Sequence, residues 1–365
     1  PASSQMPTAV RGAIATALAL KPEDMRVRVG DVGGGFGMKT GSYPEDVVIA
    51  WAARATAKPV RWVGERGEEF LSTTHGRDVQ AHAELALDAG GKILALRVHS
   101  HANVGAYPTG TGVAIQLLIG PWVQTSVYHV PVIDFHFKAV LTDQGPTGAY
   151  RGAGRPEAIF NIERLMDEAA RQIGIDRIEL RRRNFYRAVD GVEPRTPYGQ
   201  PVRHSGRIDA VWDQVLESGD VAERQQGIAR FNAEHPDTKR GLAITPVKFG
   251  ISFNRTSLNQ AGALVHVYKD GSVLINHGGT EMGQGLNTKV AQVVAEVLQV
   301  DFDRIQITAT NTDKVPNTSP TAASSGADLN GKAAQNAAEL LKKRLVEFAA
   351  RQWTVSYTPL QLPKI

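Results

Sequence analysis

Four loops rich in small residues each lead into a predicted helix, and they hold the groups best placed to do chemistry. The loops lie at 33–39, 145–154, 278–285 and 321–326. Free backbone N–H groups and the positive end of the helix dipole make such an entrance an anion site, and glycine lets a ligand approach the backbone closely. Four of these loops in one chain predict a large cofactor that carries several negative charges.

The usual nucleotide-binding motifs do not fit the first of these loops. A P-loop needs a glycine directly before Lys39, but that position is Met38. The dinucleotide pattern fails at the same place, because Gly33 and Gly35 would need a third glycine there. Any single loop is equally consistent with a tight turn, so the cofactor prediction rests on the combination.

Polar side chains inside the loops sharpen the predicted chemistry. Arg151 offers a planar fork for phosphate or another anionic centre, although a surface salt bridge is the more common fate of a single arginine. Gln284 sits in glycine-rich backbone, where its side chain points at a ligand or at solvent. A methionine such as Met282 more often fills a core than contacts a cofactor. We expect Glu281 to accept hydrogen bonds from loop amides rather than to act as an acid or base.

The histidines show no spacing that is typical of a metal site. His75, His99, His101 and His277 are interpreted as structural, with His99 and His101 on one face of a strand. The sequence therefore predicts no metal ligand among its side chains.

Composition excludes several classes of site. The 365 residues contain no cysteine, which excludes disulfides, Cys-type zinc sites, iron–sulfur ligation by this chain and a thiolate nucleophile. The 41 basic and 37 acidic residues leave a formal charge of +4, too small to indicate nucleic-acid binding. Any redox metal must be held by something other than cysteine.

Hydrophobic patterning predicts an α+β fold with mixed sheets. Strands are predicted at 26–29, 59–63 and 135–141, hairpins at 83–98 and 265–275, and a strand at 305–309. Helices are predicted from 44, from 156, at 208–231, after 285 and at 328–353. We expect two mixed α/β subdomains at 1–186 and 241–365, joined by a connecting segment and helix at 187–240, with a cofactor between them.

Together the four loops resemble the molybdenum-binding subunit of the xanthine dehydrogenase and aldehyde oxidase family. The motifs are GGGFGMK at 33–39, AYRGAGR at 149–155, HGGTEMGQG at 277–285 and VPNTSPTAASS at 315–325. They follow the family's order over nearly the whole chain. The resemblance implies a molybdopterin cofactor, expected in its cytosine dinucleotide form, whose dithiolene rather than a protein side chain holds the molybdenum.

The resemblance also implies roles for individual residues. Gln5 matches the glutamine that hydrogen-bonds the oxo ligand of molybdenum, and Gln5 and Arg151 would belong to the shell around the metal. The positions that match the family's cofactor contacts are Gln5, Gly34, Gly35, Phe36, Gly37, Arg151, Met282, Gln284, Ala323 and Ser324.

The family's mechanism needs one residue that this sequence does not contain. In the family, a glutamate deprotonates a hydroxyl bound to molybdenum. The resulting oxygen, which comes from water, attacks an electron-poor carbon of the substrate, and hydride passes to the sulfido ligand. That glutamate lies in a Gly-x-Gly-Glu segment, and none follows Gly331. We expect a truncated segment, or a base supplied by a separate chain, and therefore no turnover by this segment alone.

Substrate preference is predicted from three positions of the expected pocket. Phe253 resembles the aromatic ring that xanthine dehydrogenases place against a purine. Ala153 stands where those enzymes have a second stacking phenylalanine, and Thr40 where they have a purine-binding glutamate. Gly152 replaces the copper-binding cysteine of carbon monoxide dehydrogenases. We therefore expect an aldehyde or an N-heteroaromatic as substrate, with xanthine or hypoxanthine as the alternative and a non-catalytic cofactor-binding or structural fragment as a third possibility.

The resemblance implies partners, because this chain has no cysteine to hold the iron–sulfur clusters that the family uses. Electrons would leave through 2Fe-2S clusters and FAD on an iron–sulfur subunit and an FAD subunit, or on further domains of the same polypeptide. The rest of the molybdenum subunit is a further expected partner. We expect a cytoplasmic enzyme, with a periplasmic location left open.

Overall fold

The computed structural model describes residues 1–314 and 319–353, which form two compact units. The first unit combines Pro1–Thr73 with the described residues from Gly250 onward, and the second unit is Thr74–Phe249. Each unit mixes helices with sheet, which confirms the predicted α+β class. The first unit is built from two separated stretches of chain, a division that differs from the one expected along the sequence at 186 and 240.

The helices and strands are numbered in chain order. In the part of the chain that the structure describes, the α-helices are α1 Pro7–Ala17, α2 Pro44–Thr56, α3 Arg66–Ser72, α4 Gly112–Ala114, α5 Gly120–Val123, α6 Arg155–Ile173, α7 Arg177–Arg183, α8 Arg207–Ser218, α9 Val221–Glu234, α10 Leu286–Leu298 and α11 Gly326–Gln352. The strands are β1 Arg28–Val29, β2 Val79–Leu87, β3 Ile93–Gly105, β4 Val132–Leu141, β5 Ala263–Val267, β6 Val273–His277, β7 Ile305–Ile307 and β8 Thr310–Asn311. No helix among these residues has the length and apolar content needed to cross a bilayer.

The main core of the first unit lies between a three-stranded sheet and two helices. Strand β6 pairs antiparallel with β5 and parallel with β7, so Ile275 has Val265 on one side and Ile307 on the other. Helices α10 and α11 cover the sheet, and two fully buried alanines of α11, Ala334 and Ala338, let the helices approach closely. This packing fixes the loop between β6 and α10.

A smaller core in the same unit sets the direction of the first glycine loop. Val10 and Ile14 of α1 pack on Val27 and Val29, and β1 pairs antiparallel with β8. The chain leaves β1 directly into residues 33–37, so a buried strand anchors the start of that loop.

The second unit is organised by an antiparallel hairpin and a parallel third strand. The hairpin pairs β2 with β3 as predicted, and Asp88 closes it by accepting the N–H groups of Gly90 and Lys92 at 2.9 and 2.8 Å. Strand β4 adds parallel to β3. One face of the sheet packs on α6, and the opposite face is exposed to solvent.

Two predicted elements differ from the observed ones. The helix expected at 208–231 is split into α8 and α9, because Asp220 adopts a left-handed conformation with φ +47°. Residues 59–63 alternate like a strand but form no described strand, and Val63 is 65% exposed. No strand among the described residues pairs with this segment, so the alternating pattern does not produce a sheet strand.

A buried ion pair joins α6 to α7 in the second unit. The guanidinium Nε of Arg181 lies 2.8 Å from Oε2 of Glu163, and the hydroxyl of Tyr128 donates to Oε1 of the same carboxylate at 2.7 Å. Arg181 also contacts Asp167 at 2.9 Å and is only 1% exposed. Both carboxylate oxygens of Glu163 are therefore satisfied.

Removing one partner of this pair should strongly destabilise the protein. We expect Arg181→Met to lower the free energy of unfolding by about 3–5 kcal/mol, because it leaves the buried Glu163 carboxylate without its cation. Urea denaturation would measure the loss. The matched control is Arg171→Met, whose exposed pair with Glu168 contributes little, so its transition should barely move. Equal effects of the two substitutions would contradict the prediction.

Candidate functional site

One buried glutamine connects two of the predicted loops in the first unit. Oε1 of Gln5 accepts the N–H groups of Gly37 and Lys39 at 2.9 and 3.3 Å, and Nε2 donates to the carbonyl of Thr321 at 3.0 Å. The Gln5 backbone repeats the connection, bonding the Lys39 carbonyl at 2.8 Å and the Thr321 N–H at 2.9 Å. Gln5 is 2% exposed. One carboxamide therefore sets the spacing of both loops and retains a second N–H on Nε2.

The first glycine loop presses closely on this glutamine. A Cβ on Gly35 would lie 2.5 Å from Sδ of Met282 and 2.6 Å from Oε1 of Gln5, so no side chain fits there. Phe36 adopts φ +54°, which costs a residue other than glycine about 1–3 kcal/mol and is typical of ligand sites. Among the described residues, no acceptor is bonded to the N–H of Gly35 or Phe36. Neither amide is therefore used in a hydrogen bond within the described part of the chain, although Gly35 is buried.

The loop between β6 and α10 is organised by a carboxylate. Oε1 of Glu281 accepts the N–H groups of Gly283 and Gly285 at 2.9 and 3.0 Å, and Oε2 accepts the N–H of Asn287 at 2.9 Å. Partial burial opposes ionisation of Glu281, but these backbone bonds outweigh it and lower the pKa of the carboxyl. The prediction that Glu281 binds loop amides is confirmed.

Two predicted cofactor contacts have partners within the protein. Gln284 turns back on its own loop, accepting the Met282 N–H at 2.6 Å and donating to the Thr280 carbonyl at 3.0 Å. Met282 is part-buried against the α1–β1 core. The N–H of Val32 donates to the carbonyl of Glu281 at 2.9 Å, so this loop also contacts the first one.

The base of the same loop is buried and polar. His277 is 3% exposed, and its Nε2 lies 3.0 Å from Oδ1 of Asn287 while Nδ1 lies 3.2 Å from the N–H of Gly279. Burial lowers the pKa of His277, which fits a neutral ring that donates from Nε2 and accepts at Nδ1. The Thr280 N–H donates to Oγ1 of Thr321 at 2.9 Å, whereas the buried Thr280 hydroxyl has no partner among the described residues.

The last loop places two residues in the left-handed region in succession. Ala323 and Ser324 have φ +54° and +55°, and neither N–H has an acceptor within residues 1–314 and 319–353. Successive amides in such a turn form a concave donor site for anions. Residues 315–318 of the same motif lie outside the described residues.

The residues predicted to line the substrate pocket are attached to these loops. Ser252 donates its N–H to the carbonyl of Ala323 at 2.8 Å. The adjacent Phe253 is fixed by two 2.8 Å hydrogen bonds between its backbone and the side chain of Asn259. The hydroxyl of Thr40 donates to the carbonyl of Gly37 at 2.7 Å, so it is engaged within the first glycine loop.

Arg151 and Ala153 belong to the second unit. The guanidinium of Arg77 donates to the Arg151 carbonyl and lies above the Tyr150 ring at 4.9 Å, which orders the loop. Arg151 itself is exposed. Ala153 adopts φ +42°, and a Cβ on Gly152 would lie 2.6 Å from Cγ of Pro156. A cysteine therefore does not fit at position 152 in this conformation.

The first unit thus assembles most of the predicted site residues. They are Gln5, Gly34, Gly35, Phe36, Gly37, Thr40, Phe253, Met282, Gln284, Ala323 and Ser324. Sequence reasoning missed the supporting roles of Thr280, Thr321 and Arg77. Nothing near Arg77 in the sequence links it to residue 151, because the contact depends on how the second unit folds.

Comparison with known proteins identifies the family of this chain. Models of the molybdopterin cofactor-binding domain match residues 1–185 and 214–364. The chain is 38% identical to nicotinate hydroxylase hnxS of Emericella nidulans, over 88% of this chain and 24% of that protein. It is also 38% identical to xanthine dehydrogenase/oxidase of Mus musculus, over 95% of this chain and 26% of that protein.

A solved structure shares the fold over almost the whole chain. Quinoline 2-oxidoreductase from Pseudomonas putida 86 superimposes with a TM-score of 0.84 at 28% identity, covering 97% of this chain and 46% of that one. The chain spans about a quarter of the length of the curated relatives named above. Both family models and these relatives identify the family of the chain. It belongs to the molybdopterin cofactor-binding domain family and is a member of the molybdenum hydroxylases related to xanthine dehydrogenase and aldehyde oxidase.

Proposed function

We propose that this chain is the cofactor-binding part of a molybdenum hydroxylase that inserts water-derived oxygen at an electron-poor carbon of an aldehyde or N-heteroaromatic compound. The observation that carries the proposal is the convergence on Gln5. Its single carboxamide bonds the loops at 33–39 and 319–325, and Met282 of a third loop lies beside it at Gly35. Convergence of three anion-binding loops suits a large anionic cofactor.

The donor groups of the first unit fit molybdopterin. Phosphate and pterin oxygens suit the N–H groups of Gly35, Phe36, Ala323 and Ser324 and the buried Thr280 hydroxyl. None of these groups has a hydrogen-bond partner among the described residues. We infer that the cofactor is held by Gln5, Gly34, Gly35, Phe36, Gly37, Arg151, Met282, Gln284, Ala323 and Ser324. The cytosine dinucleotide form is part of this proposal.

The residues of this chain would orient the reactants. When bound, the molybdenum centre supplies oxygen transfer and takes up two electrons from the substrate. Gln5 would offer its second Nε2–H to the metal's oxygen ligand, held in position by its three other hydrogen bonds. Phe253 would pack on an aromatic substrate. Arg151 would supply a positive charge to the anionic cofactor.

The general base is proposed to come from outside the described residues. Glu281 is unsuited to that role, because three backbone N–H groups bond its carboxylate and lower its pKa. A base must be free to take up a proton in the reaction. We place it on the rest of the polypeptide or on a separate chain.

Purines are the second candidate substrates. The 38% identity to mouse xanthine dehydrogenase/oxidase favours them, and Phe253 is present to stack on one face of the ring. Against them, Thr40 lacks a carboxylate and its hydroxyl is bonded to Gly37, and Ala153 carries no second aromatic ring. The equal identity to nicotinate hydroxylase agrees with an N-heteroaromatic.

Partners follow from the same proposal. The chain has no cysteine, so iron–sulfur clusters and FAD would be carried by further domains or subunits. A cytoplasmic location belongs to this proposal as well.

The complete enzyme provides the direct test of function. Purified together with its partners, it should oxidise aromatic aldehydes or N-heteroaromatics with an artificial electron acceptor and place oxygen from isotope-labelled water in the product. Turnover of xanthine in preference to these compounds would favour the second candidate. Absence of both molybdenum and turnover would support a non-catalytic role instead.

A methyl group at residue 35 should weaken cofactor binding. In Gly35→Ala the new Cβ would meet Met282 and Gln5, and we expect the displaced loop to cost about 1–3 kcal/mol, or about 5- to 150-fold in cofactor affinity. Molybdenum content by mass spectrometry measures this without an activity assay. Gly30→Ala is the control, because nothing lies within 4 Å of its new Cβ. Equal molybdenum in both variants would refute the assignment.

Removing the aromatic ring of Phe253 should lower the turnover of aromatic substrates selectively. We expect Phe253→Leu to lower kcat/KM for an N-heteroaromatic by about 2- to 12-fold, the loss expected from about 0.5–1.5 kcal/mol of aromatic stacking. A small aliphatic aldehyde should be little affected, because it has no ring to stack. Phe302→Leu, at an exposed phenylalanine of the same unit, is the control. A uniform loss for all substrates would indicate a structural effect instead.

A further inference from the structure

Three histidines form a row across the exposed face of the sheet in the second unit. His82 of β2 pairs with His99 of β3, and His99 pairs with His136 of β4. Directly paired residues project to the same face with Cβ atoms about 4.5–5.5 Å apart. All three histidines are exposed, so the row faces solvent rather than the core.

A carboxylate lies between the second and third imidazoles. Nε2 of His136 is 3.1 Å from Oδ1 of Asp134, and Nε2 of His99 is 3.9 Å from Oδ2. The two imidazole rings meet edge to face with centroids 4.6 Å apart. Each residue offers one ligand atom, and these three atoms lie within 4.8 Å of one another.

These distances are close to those of a tetrahedral zinc site. Zinc binds imidazole nitrogen and carboxylate oxygen at about 2.0–2.2 Å, which places neighbouring ligand atoms roughly 3.3–3.6 Å apart. His136 Nε2 lies 3.1 Å from Oδ1 of Asp134, whereas His99 Nε2 lies 3.9 Å from Oδ2 of the same carboxylate, so the three ligand atoms, which lie within 4.8 Å of one another, must draw closer to bind one ion. We expect small rotations of these side chains to bring the ligand atoms together, because both histidines are exposed and have room to move.

The surrounding charges allow a divalent cation to bind. Nε of Arg97 lies 2.7 Å from Oδ2 of Asp134, and Nη1 lies 2.9 Å from Oε2 of Glu84. One arginine therefore faces two carboxylates, which leaves a net negative charge on these three side chains beside the imidazoles. Oδ1 of Asp134 remains directed at His136, but the guanidinium nearby opposes a metal ion and should limit its affinity.

We propose that His99, Asp134 and His136 form a binding site for Zn²⁺, separate from the molybdopterin residues. The ion would join β3 to β4 through His99 and its register partner His136, with Asp134 two residues before His136 on the same strand. It would stabilise the sheet without taking part in substrate oxidation. The proposal departs from the sequence interpretation of His99 as structural, because strand register rather than sequence spacing brings the ligands together.

Zinc titration of the purified, cofactor-loaded protein tests the proposal. After removal of adventitious metal with a chelator, calorimetry should detect one saturable Zn²⁺ site, and saturating Zn²⁺ should raise the Tm. His99→Ala and His136→Ala should each weaken binding by about tenfold or more, since each removes a ligand. His101→Ala is the matched control, because this histidine shares the exposed face but pairs with Gln80 and Lys138 instead.

Two further variants distinguish a specific Zn²⁺ site from general attraction of cations to surface histidines. Arg97→Gln removes the opposing charge and frees Asp134, so it should tighten Zn²⁺ binding, whereas Asp134→Asn should weaken it. Co²⁺ bound in place of zinc should give visible absorption that is lost in His136→Ala. Absence of saturable binding, or equal losses in His101→Ala and His99→Ala, would overturn the proposal.

Discussion

The first unit depends on the side chain of Gln5. A primary carboxamide combines two acceptor positions with two donor hydrogens, and this one accepts from Gly37 and Lys39 while donating to Thr321. A carboxylate would lose the donor, and a shorter amide would not span the same groups. Because Gln5 is 2% exposed, water cannot replace a missing partner, and leaving a buried group unsatisfied costs about 1–3 kcal/mol. Both loops therefore hold their spacing through one residue.

The ligand-facing groups of this unit are mainly backbone amides. Phe36, Ala323 and Ser324 hold unfavourable left-handed conformations, and the chain tolerates them because neighbouring hydrogen bonds determine the loops. Side chains such as Glu281 and Gln284 hydrogen-bond the backbone of their own loop and so support its conformation. Substitutions at the supporting residues should thus act on cofactor binding through loop position.

Local patterns predicted much of the fold, and long-range contacts explain the rest. Asp88 and the glycines beside it marked the hairpin of β2 and β3, and the loop-to-helix junction at Gly285 marked the start of α10. The end of α8 near Asp220 was missed because the sequence pattern at 208–231 does not show that this aspartate adopts a left-handed conformation. The site residues came from the resemblance of whole loops. The bond between Gln5 and Thr321, and the row of histidines, depend on partners far apart in sequence.

The discontinuous first unit constrains how the protein is made. Residues 5 and 321 are separated by 316 positions, so their bond forms only after nearly all of this chain has left the ribosome. At about 5–20 residues per second, that takes roughly 16 to 63 s. The second unit, a continuous stretch, can fold during this interval. The loops at 33–39 and 319–325 thus come together only after the second unit has been synthesised, which leaves them open to a metal-loaded pterin until then.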